Sequence, residues 1–301
     1  MNNRFHWPQE GCQKLNPPIK VYEASSALLA KGTKANREAM IQRRLIDAIA
    51  STDTETRMWK SLFAAAKGAY AIADFKQCES LLLRALEKGK SLKESTFAIN
   101  TCLVGQGALC LATGKLDEAC KHLEQPIQRL NGTSDIALKE LCAVALKFHA
   151  AVLSEKGNND GAESDLEKAI EILESIGVEG AVQLAYAMSD LAMIYMKQGA
   201  LKEAGELVFS AMEILEVTMG HENPEYIRAN LIYSLCHSAN EEEFLGGIED
   251  SIVKMEYQRG QQHPSIVRAV RWYLQKLHEC GDDDRIAEVK RKFEVHTAKI
   301  H

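Results

Sequence analysis

The chain has 301 residues, of which 46% are hydrophobic and only 6% aromatic, so it can build an extensive core from small and aliphatic side chains. Its net charge of −6 argues against general binding of nucleic acid, which favours a basic surface. Residues 251–301 are locally basic, with ten Lys and Arg against seven Asp and Glu, and a solvated helical face explains this better than a basic docking patch.

Hydropathy and cysteine usage indicate the class and the compartment of the protein. No apolar run has the roughly 18 residues that a transmembrane helix needs, and residues 1–8 lack the apolar centre of a secretory signal. The eight cysteines include no Cys-x-x-Cys pair, and Cys78, Cys110 and Cys236 fall where a repeat needs a small or buried residue. We therefore expect reduced thiols, no membrane insertion and a cytoplasmic location. A chloroplast or mitochondrial location stays open if a transit peptide has been removed.

The N-terminal part of the chain divides into two segments before the regular pattern begins. Residues 1–20 hold three of the six prolines and show no apolar period, which predicts an extended or disordered segment. Residues 21–52 then show helical spacing of apolar residues, and Gly32 lies 41 residues before Ala73. We interpret this second segment as an N-terminal helical cap or a degenerate repeat, followed by a repeat array over residues 53–301.

One pattern recurs four times in the array, at steps of 41, 43 and 42 residues. Each copy begins with a small turn residue, has a second small residue five positions later, and has Leu or Val four positions after that. The turn residues are Ala73, Gly114, Gly157 and Gly199, the second small residues are Cys78, Ala119, Ala162 and Ala204, and the aliphatic residues are Leu82, Leu123, Leu166 and Val208. Self-similarity at such a period predicts stacked helical hairpins, because no single unit can bury its apolar face alone.

The first clear hairpin is expected to have helices near residues 55–72 and 75–90. Further turns at residues 238–240 and 281–284 extend the array, and a helix over residues 285–299 is expected to cap it. Pro126 lies where a second helix should be in mid-course, which predicts a kink or an early end to that helix. The Gly105-Gln-Gly107 sequence superficially resembles a phosphate-binding loop, but it falls inside a predicted helix, where Gly107 fills a small packing position.

The small-residue pattern resembles a known repeat family. Leu191-Ala-Met-Ile-Tyr195, followed by Gly199, Ala204 and Ala211, is similar to the tetratricopeptide repeat. The period near 42 residues and the Gly220-His-Glu-Asn-Pro224 connection resemble the long variety seen in kinesin light chains. The paired asparagines of that variety are replaced here by Ser189-Asp190, and only Asn230 stands at such a position in the next unit.

The resemblance implies a fold and a binding face. The fold is all-α: a right-handed superhelical α-solenoid of stacked antiparallel helix pairs. The first helix of each pair lines a concave groove, and residues counted back from each turn are candidates for its surface. The candidate groove residues are Lys60, Phe63, Lys67, Tyr70, Lys147, Tyr186, Ser189, Met193, Met196, Lys197, Asn230, His237, Arg268, Arg271, Gln275 and His278.

These residues predict a non-catalytic scaffold or adaptor. Lysines, arginines and amides along such a wall suit an extended or helical protein segment that carries acidic residues, and methionines add an adaptable apolar patch. We expect no catalytic residues, no metal and no cofactor, and a monomer rather than a self-associating chain. Two alternatives stay open: an organellar factor that assembles or stabilises a protein complex, and, more remotely, an enzyme.

Overall fold

The structure, a computed structural model, describes residues 54–93, 95–236, 241–259 and 264–293. Within these residues every regular element is helical. The helices are α1 (Thr54–Ala71), α2 (Phe75–Lys90), α3 (Ser95–Ala112), α4 (Leu116–Leu130), α5 (Ile136–Glu155), α6 (Asn159–Ile176), α7 (Ala181–Gln198), α8 (Leu201–Met219), α9 (Pro224–Cys236), α10 (Glu241–Arg259), α11 (Pro264–Cys280) and α12 (Asp283–Lys292). A short 3₁₀ helix, Gly177–Gly180, joins α6 to α7.

Consecutive helices pack against each other along the whole stack. In each hairpin the odd-numbered helix comes first and the even-numbered helix second. The predicted all-α solenoid of helix pairs is therefore confirmed. The residues predicted as extended at 1–20, as a cap at 21–52 and as a turn at 238–240 lie outside the described residues.

The predicted turns share one backbone geometry. Ala73, Gly114, Gly157, Gly199 and Gly281 all have φ between 59° and 83°. At each turn, the N–H of the positive-φ residue bonds the carbonyl three positions earlier, and the next N–H bonds the carbonyl five positions earlier. For Gly199 and Ala200 these bonds reach Met196 and Tyr195 and measure 3.1 and 2.9 Å. This is the Schellman arrangement, which explains why glycine recurs at this position.

Ala73 is strained because it takes the left-handed conformation without being glycine. Its φ is 59°, and this conformation costs an L-residue about 1–2 kcal/mol. Ala73→Gly is therefore expected to raise the free energy of unfolding by about 0.5–1 kcal/mol, since the added flexibility of the unfolded chain offsets part of the gain. Urea unfolding followed by circular dichroism measures this difference. Ala65→Gly, at an exposed position within α1, is the matched control and should be destabilising. Destabilisation by Ala73→Gly would contradict the assigned turn.

The repeated small and aliphatic positions form the core. Cys78, Ala119, Ala162 and Ala204 are at most 2% exposed, and so are Leu82, Leu123, Leu166 and Val208. Small residues let the two helices of a hairpin approach closely, and the aliphatic residue one turn later fills the space beside them. A continuous apolar cluster runs from Val104 in α3 to Phe293 after α12.

Two helices, α4 and α12, differ in length from the sequence-based expectation. Helix α4 does not end early at Pro126, which is buried inside it, and continues to Leu130. Helix α12 ends at Lys292 rather than near 299; Asp282 caps its start by accepting a 3.0 Å bond from the N–H of Arg285, and Phe293 is 6% exposed. Residues 294–299 of the predicted cap lie outside the described part of the chain.

Helix α3 contradicts the expectation that no apolar run is long enough for a membrane span. It is 18 residues long with a mean hydropathy of 1.3, which is long and apolar enough for a membrane span by length and composition. More than half of it is buried inside the stack, as in a core helix of a soluble protein, so its length and composition alone are weak evidence for membrane insertion. Within the helix, Asn100 Nδ2 donates to the carbonyl of Thr96 and the Thr101 hydroxyl donates to the carbonyl of Phe97, while the buried Oδ1 of Asn100 has no hydrogen-bond partner among the described residues.

Candidate functional site

The first helices of the hairpins form a common surface. Helices α1, α3, α5 and α7 each contact the next odd-numbered helix, whereas successive even-numbered helices are at most marginally in contact within the described residues. In a curved stack the helices on the inner side lie closer together than those on the outer side. We call the surface formed by the odd-numbered helices the inner face.

Helix α7 shows how little of a first helix is accessible. Twelve of its residues are buried, and a stripe of half-buried side chains remains at helical spacing: Tyr186, Asp190, Met193 and Lys197. Three of these four were candidates from the sequence, and Asp190 was not. The stripe carries a ring, a carboxylate, a thioether and an amine, so it offers contacts of several kinds to a bound segment.

Two candidates on α7 are not accessible. Ser189 is fully buried and its hydroxyl donates to the carbonyl of Ala185 at 2.9 Å. Met196 is 3% exposed and lies in the continuous core. The expectation that these two residues line the groove is therefore wrong, because each lies one position away from the accessible stripe. The spacing of four and three residues from Tyr186 to Met193 would have selected Asp190.

In the first hairpin, the aromatic candidates pack rather than project. The ring of Phe63 stacks on Trp59 with centroids 6.0 Å apart, and Tyr70 packs against Phe75 at the same separation. Both rings are partly buried against a small apolar cluster between the first two hairpins, which consists of Ala66, Ala69, Cys78, Leu81, Leu82 and Leu109. Lys60 is half-buried, whereas Lys67 is exposed, so Lys67 is the more accessible cation of this hairpin.

A guanidinium held by two carboxylates occupies the middle of the inner face. Arg228 of α9 donates from Nη1 to Asp190 Oδ1 of α7 and from Nε to Glu225 Oε2, each at 2.7 Å. Its Nη1 also lies 3.7 Å from Met193 Sδ. Burial opposes the charge of Arg228, but the two carboxylates outweigh burial and raise the pKa of the guanidinium. This group therefore stays charged and joins α7 to α9.

Lys147 of α5 extends the same cluster. Its Nζ lies 4.8 Å from the centroid of the Tyr186 ring, within the range of a cation–π contact. Burial lowers the pKa of Lys147, and Arg228 adds to this effect, while Asp190 and Glu225 oppose it. The two cations Lys147 and Arg228 are thus balanced by two carboxylates, and the centre of the inner face is neutral overall.

The C-terminal part of the inner face is more basic. Lys197 Nζ contacts Ser154 Oγ of α5, and Arg268 Nη2 of α11 lies 3.3 Å from Glu155 Oε1. Arg271 and His278 are exposed on α11, and Gln275 is half-buried. His237 lies outside the described residues.

Asn230 takes part in packing between the two helices of its hairpin. Its Nδ2 donates to the buried Ser251 Oγ of α10 at 3.4 Å. The amide nitrogen of Asn230 therefore contacts the second helix of the hairpin rather than the inner face.

Sequence reasoning missed the acidic residues and Arg228. Asp190, Glu225 and Glu155 all bond to cations on the inner face, which makes it a surface of mixed charge. Asp190 could have been found from helical spacing. The pairing of Arg268 with Glu155, 113 residues earlier, has no local sequence signal.

One contact among the described residues resembles a catalytic pair. Ser154 and Lys197 form a hydroxyl–amine contact of the kind some hydrolases use. However, Ser154 lies in the last turn of α5, where the helix end presents backbone carbonyls rather than the N–H donors that an oxyanion needs. Within the described residues no group of three or more His, Cys, Asp or Glu side chains is arranged to hold a metal ion.

The thiols at the repeat positions are also poor nucleophiles. Cys78 and Cys110 are buried, and burial is the largest cause that raises the pKa of each thiol. Burial raises the pKa of Cys236 to about 12. A thiol needs thiolate character to react at neutral pH, so these residues act as small core side chains.

Comparison with known proteins supports the repeat assignment. A family model described as tetratricopeptide repeat matches residues 184–225, a span of 42 residues that covers most of α7 and all of α8. No curated protein matches the chain. Among solved structures, that of BtubC (BKLC) from P. vanneervenii is similar with a TM-score of 0.50 and 16% identity, covering 78% of this chain and 89% of that one. At this identity the likeness shows the fold alone, and the resemblance to long tetratricopeptide repeats is confirmed.

Proposed function

We propose that this chain of tetratricopeptide repeats is a non-catalytic scaffold that binds an extended or helical segment of a partner protein on its inner face. Repeats of this family generally mediate protein–protein interactions, and a stack of hairpins offers a long surface for a segment to lie along. The binding class follows from the family, and the face and the partner are our inference.

The observation that supports the inner face is the row of accessible side chains on α7. Tyr186, Asp190, Met193 and Lys197 contact residues of α5 and α9, so side chains from three successive hairpins meet on one surface. A bound segment crossing these helices would meet apolar and charged groups in alternation. Such alternation suits helix-in-groove or extended-peptide recognition.

The partner that fits best is a segment whose acidic residues lie near both ends of its contact with the inner face. The centre of the inner face is neutral, while the accessible cations Lys67 and Arg271 lie in the first and last hairpins described. We propose that the scaffold is a cytoplasmic monomer. An organellar assembly factor is the alternative, and it differs in the client rather than in the binding chemistry.

The test compares capture of partners by two charge-reversed variants. Lys67→Glu/Arg271→Glu changes exposed residues of odd-numbered helices, and Lys76→Glu/Arg291→Glu makes the same charge change at exposed residues of α2 and α12. Affinity purification from native cells with quantitative mass spectrometry is expected to show a partner reduced at least about tenfold for the first variant, a loss of about 1.4 kcal/mol. The second variant should recover that partner as well as the unchanged chain does.

Two other outcomes have clear meanings. Loss of the partner only from the α2 and α12 variant would place binding on the second helices and would contradict the proposal. A partner recovered equally by all three forms would show that these cations of the inner face do not contribute. The compartment of the partner, once identified, would distinguish the cytoplasmic from the organellar role.

A further inference from the structure

An ion pair crosses the inner face between hairpins that are not neighbours. Arg268 of α11 lies 3.3 Å from Glu155 at the end of α5, in the sixth and third described hairpins. Helices α7 and α9 come between α5 and α11 in the stack. The inner face is therefore curved enough for side chains to meet across two intervening hairpins.

A second cation faces the same carboxylate. Lys197 of α7 contacts the hydroxyl of Ser154, the residue before Glu155. Burial lowers the pKa of Lys197, while Glu155 raises it and Arg268 lowers it, so all three charges act on one another. Arg271 follows Arg268 by about one turn on α11 and is exposed. Two cations, Lys197 and Arg268, thus act on one acidic side chain, and Arg271 lies one turn further along α11.

The position of Glu155 in its own helix does not favour its charge. Glu155 is the last residue of α5, and a negative charge at a helix C-terminus is opposed by the helix dipole. The cations of α7 and α11 compensate for this. Its side chain is 43% exposed and that of Arg268 is 40% exposed, so the pair is open to solvent and is weak, as such pairs usually are. An incoming carboxylate can therefore replace Glu155 at low cost.

We propose that Lys197, Arg268 and Arg271 form a subsite for an Asp or Glu side chain of the partner, and that Glu155 occupies this subsite in the free protein. The proposal rests on the proposed function, since it assigns a partner group to the C-terminal part of the inner face. Glu155 then acts as a built-in competitor that lowers the affinity for acidic segments. Removing the charge of Glu155 removes its competition for Lys197 and Arg268 without removing any group that contacts the partner.

The test measures binding of a defined acidic probe. The probe is a fluorescein-labelled octaglutamate with capped ends, titrated with the full chain at low ionic strength and followed by fluorescence anisotropy. Glu155→Gln is expected to tighten binding about fivefold, close to the value of one exposed ion pair. Arg268→Gln is expected to weaken binding about threefold or more. Octalysine of the same length should bind no more tightly to Glu155→Gln than to the unchanged chain.

A matched control separates the subsite from the general effect of net charge. Glu124→Gln removes one negative charge from an exposed position on α4, a second helix, and should change octaglutamate binding little. Equal effects of Glu155→Gln and Glu124→Gln would overturn the proposal, and so would unchanged binding by Arg268→Gln or no binding by any form. If these results overturn the subsite while a native partner is still lost from Lys67→Glu/Arg271→Glu, the proposed function stands without it.

Discussion

Arg228→Met is expected to lower the free energy of unfolding by about 2–4 kcal/mol. The substitution keeps much of the apolar volume of the side chain but leaves Asp190 and Glu225, which are 25% and 23% exposed, without the guanidinium that bonds to both. Removing one partner of a largely buried ion pair costs about 3–5 kcal/mol. The nearby cation of Lys147 compensates for part of the loss. Chemical denaturation followed by circular dichroism measures the change.

Two further variants test the cause. Arg84→Met removes an exposed arginine of α2 and should change the free energy of unfolding by less than about 0.5 kcal/mol. Replacing all three groups, as Arg228→Met/Asp190→Leu/Glu225→Leu, should recover part of the stability, because no carboxylate is then left without the guanidinium, while Lys147 loses the two carboxylates that oppose the effect of its burial. If the triple variant is as unstable as Arg228→Met, the loss comes from packing and the electrostatic explanation is wrong.

Gly107→Ala is expected to destabilise the protein by about 2 kcal/mol, although alanine is the better helix former. A Cβ atom at residue 107 would lie 2.5 Å from Cγ of Leu123, and Leu123 is fully buried. The branch point of a packed leucine cannot move away as the end of a flexible side chain can. The thermal unfolding midpoint and the urea midpoint should both fall.

The matched control is the same substitution in a neighbouring hairpin. Gly68 lies in α1, and a Cβ atom there would meet nothing within 4 Å, so Gly68→Ala should stabilise by about 1 kcal/mol. In the Gly107→Ala/Leu123→Ala variant the two losses should be less than additive, because the smaller side chain relieves the overlap. Stabilisation by Gly107→Ala alone would show that α3 and α4 are not as closely packed as the structure indicates.

Much of the fold could be predicted because its determinants are local and repeat. The positive-φ turn residues and the small residues five positions later are read directly from the sequence, and all five turns that lie within the described residues agree with it. Of the two outcomes predicted at Pro126, a kink or an early end, the early end does not occur. Proline removes one backbone donor and disfavours the preceding helical turn, but burial of Pro126 and Leu130 in the hairpin outweighs this cost.

The inner face was harder to predict because it depends on contacts between hairpins. Counting back from a turn places a residue on the correct side of a helix only to within one position, which is why Ser189 was chosen and Asp190 was missed. Arg268 is accessible, but its pairing with Glu155 depends on the curvature of the stack and could not be predicted from the sequence. That curvature is a sum over several hairpin interfaces and leaves no motif in the sequence.

The measurement that tests the central claim most directly is hydrogen–deuterium exchange of the full chain with and without its captured partner. We expect slower exchange in peptides from the odd-numbered helices α1 to α11, since a segment that lies along the inner face and reaches Lys67 and Arg271 covers these helices. Peptides from α4, α6, α8 and α10 should exchange at unchanged rates. Protection confined to the even-numbered helices would place the partner on the outer face and would contradict the account.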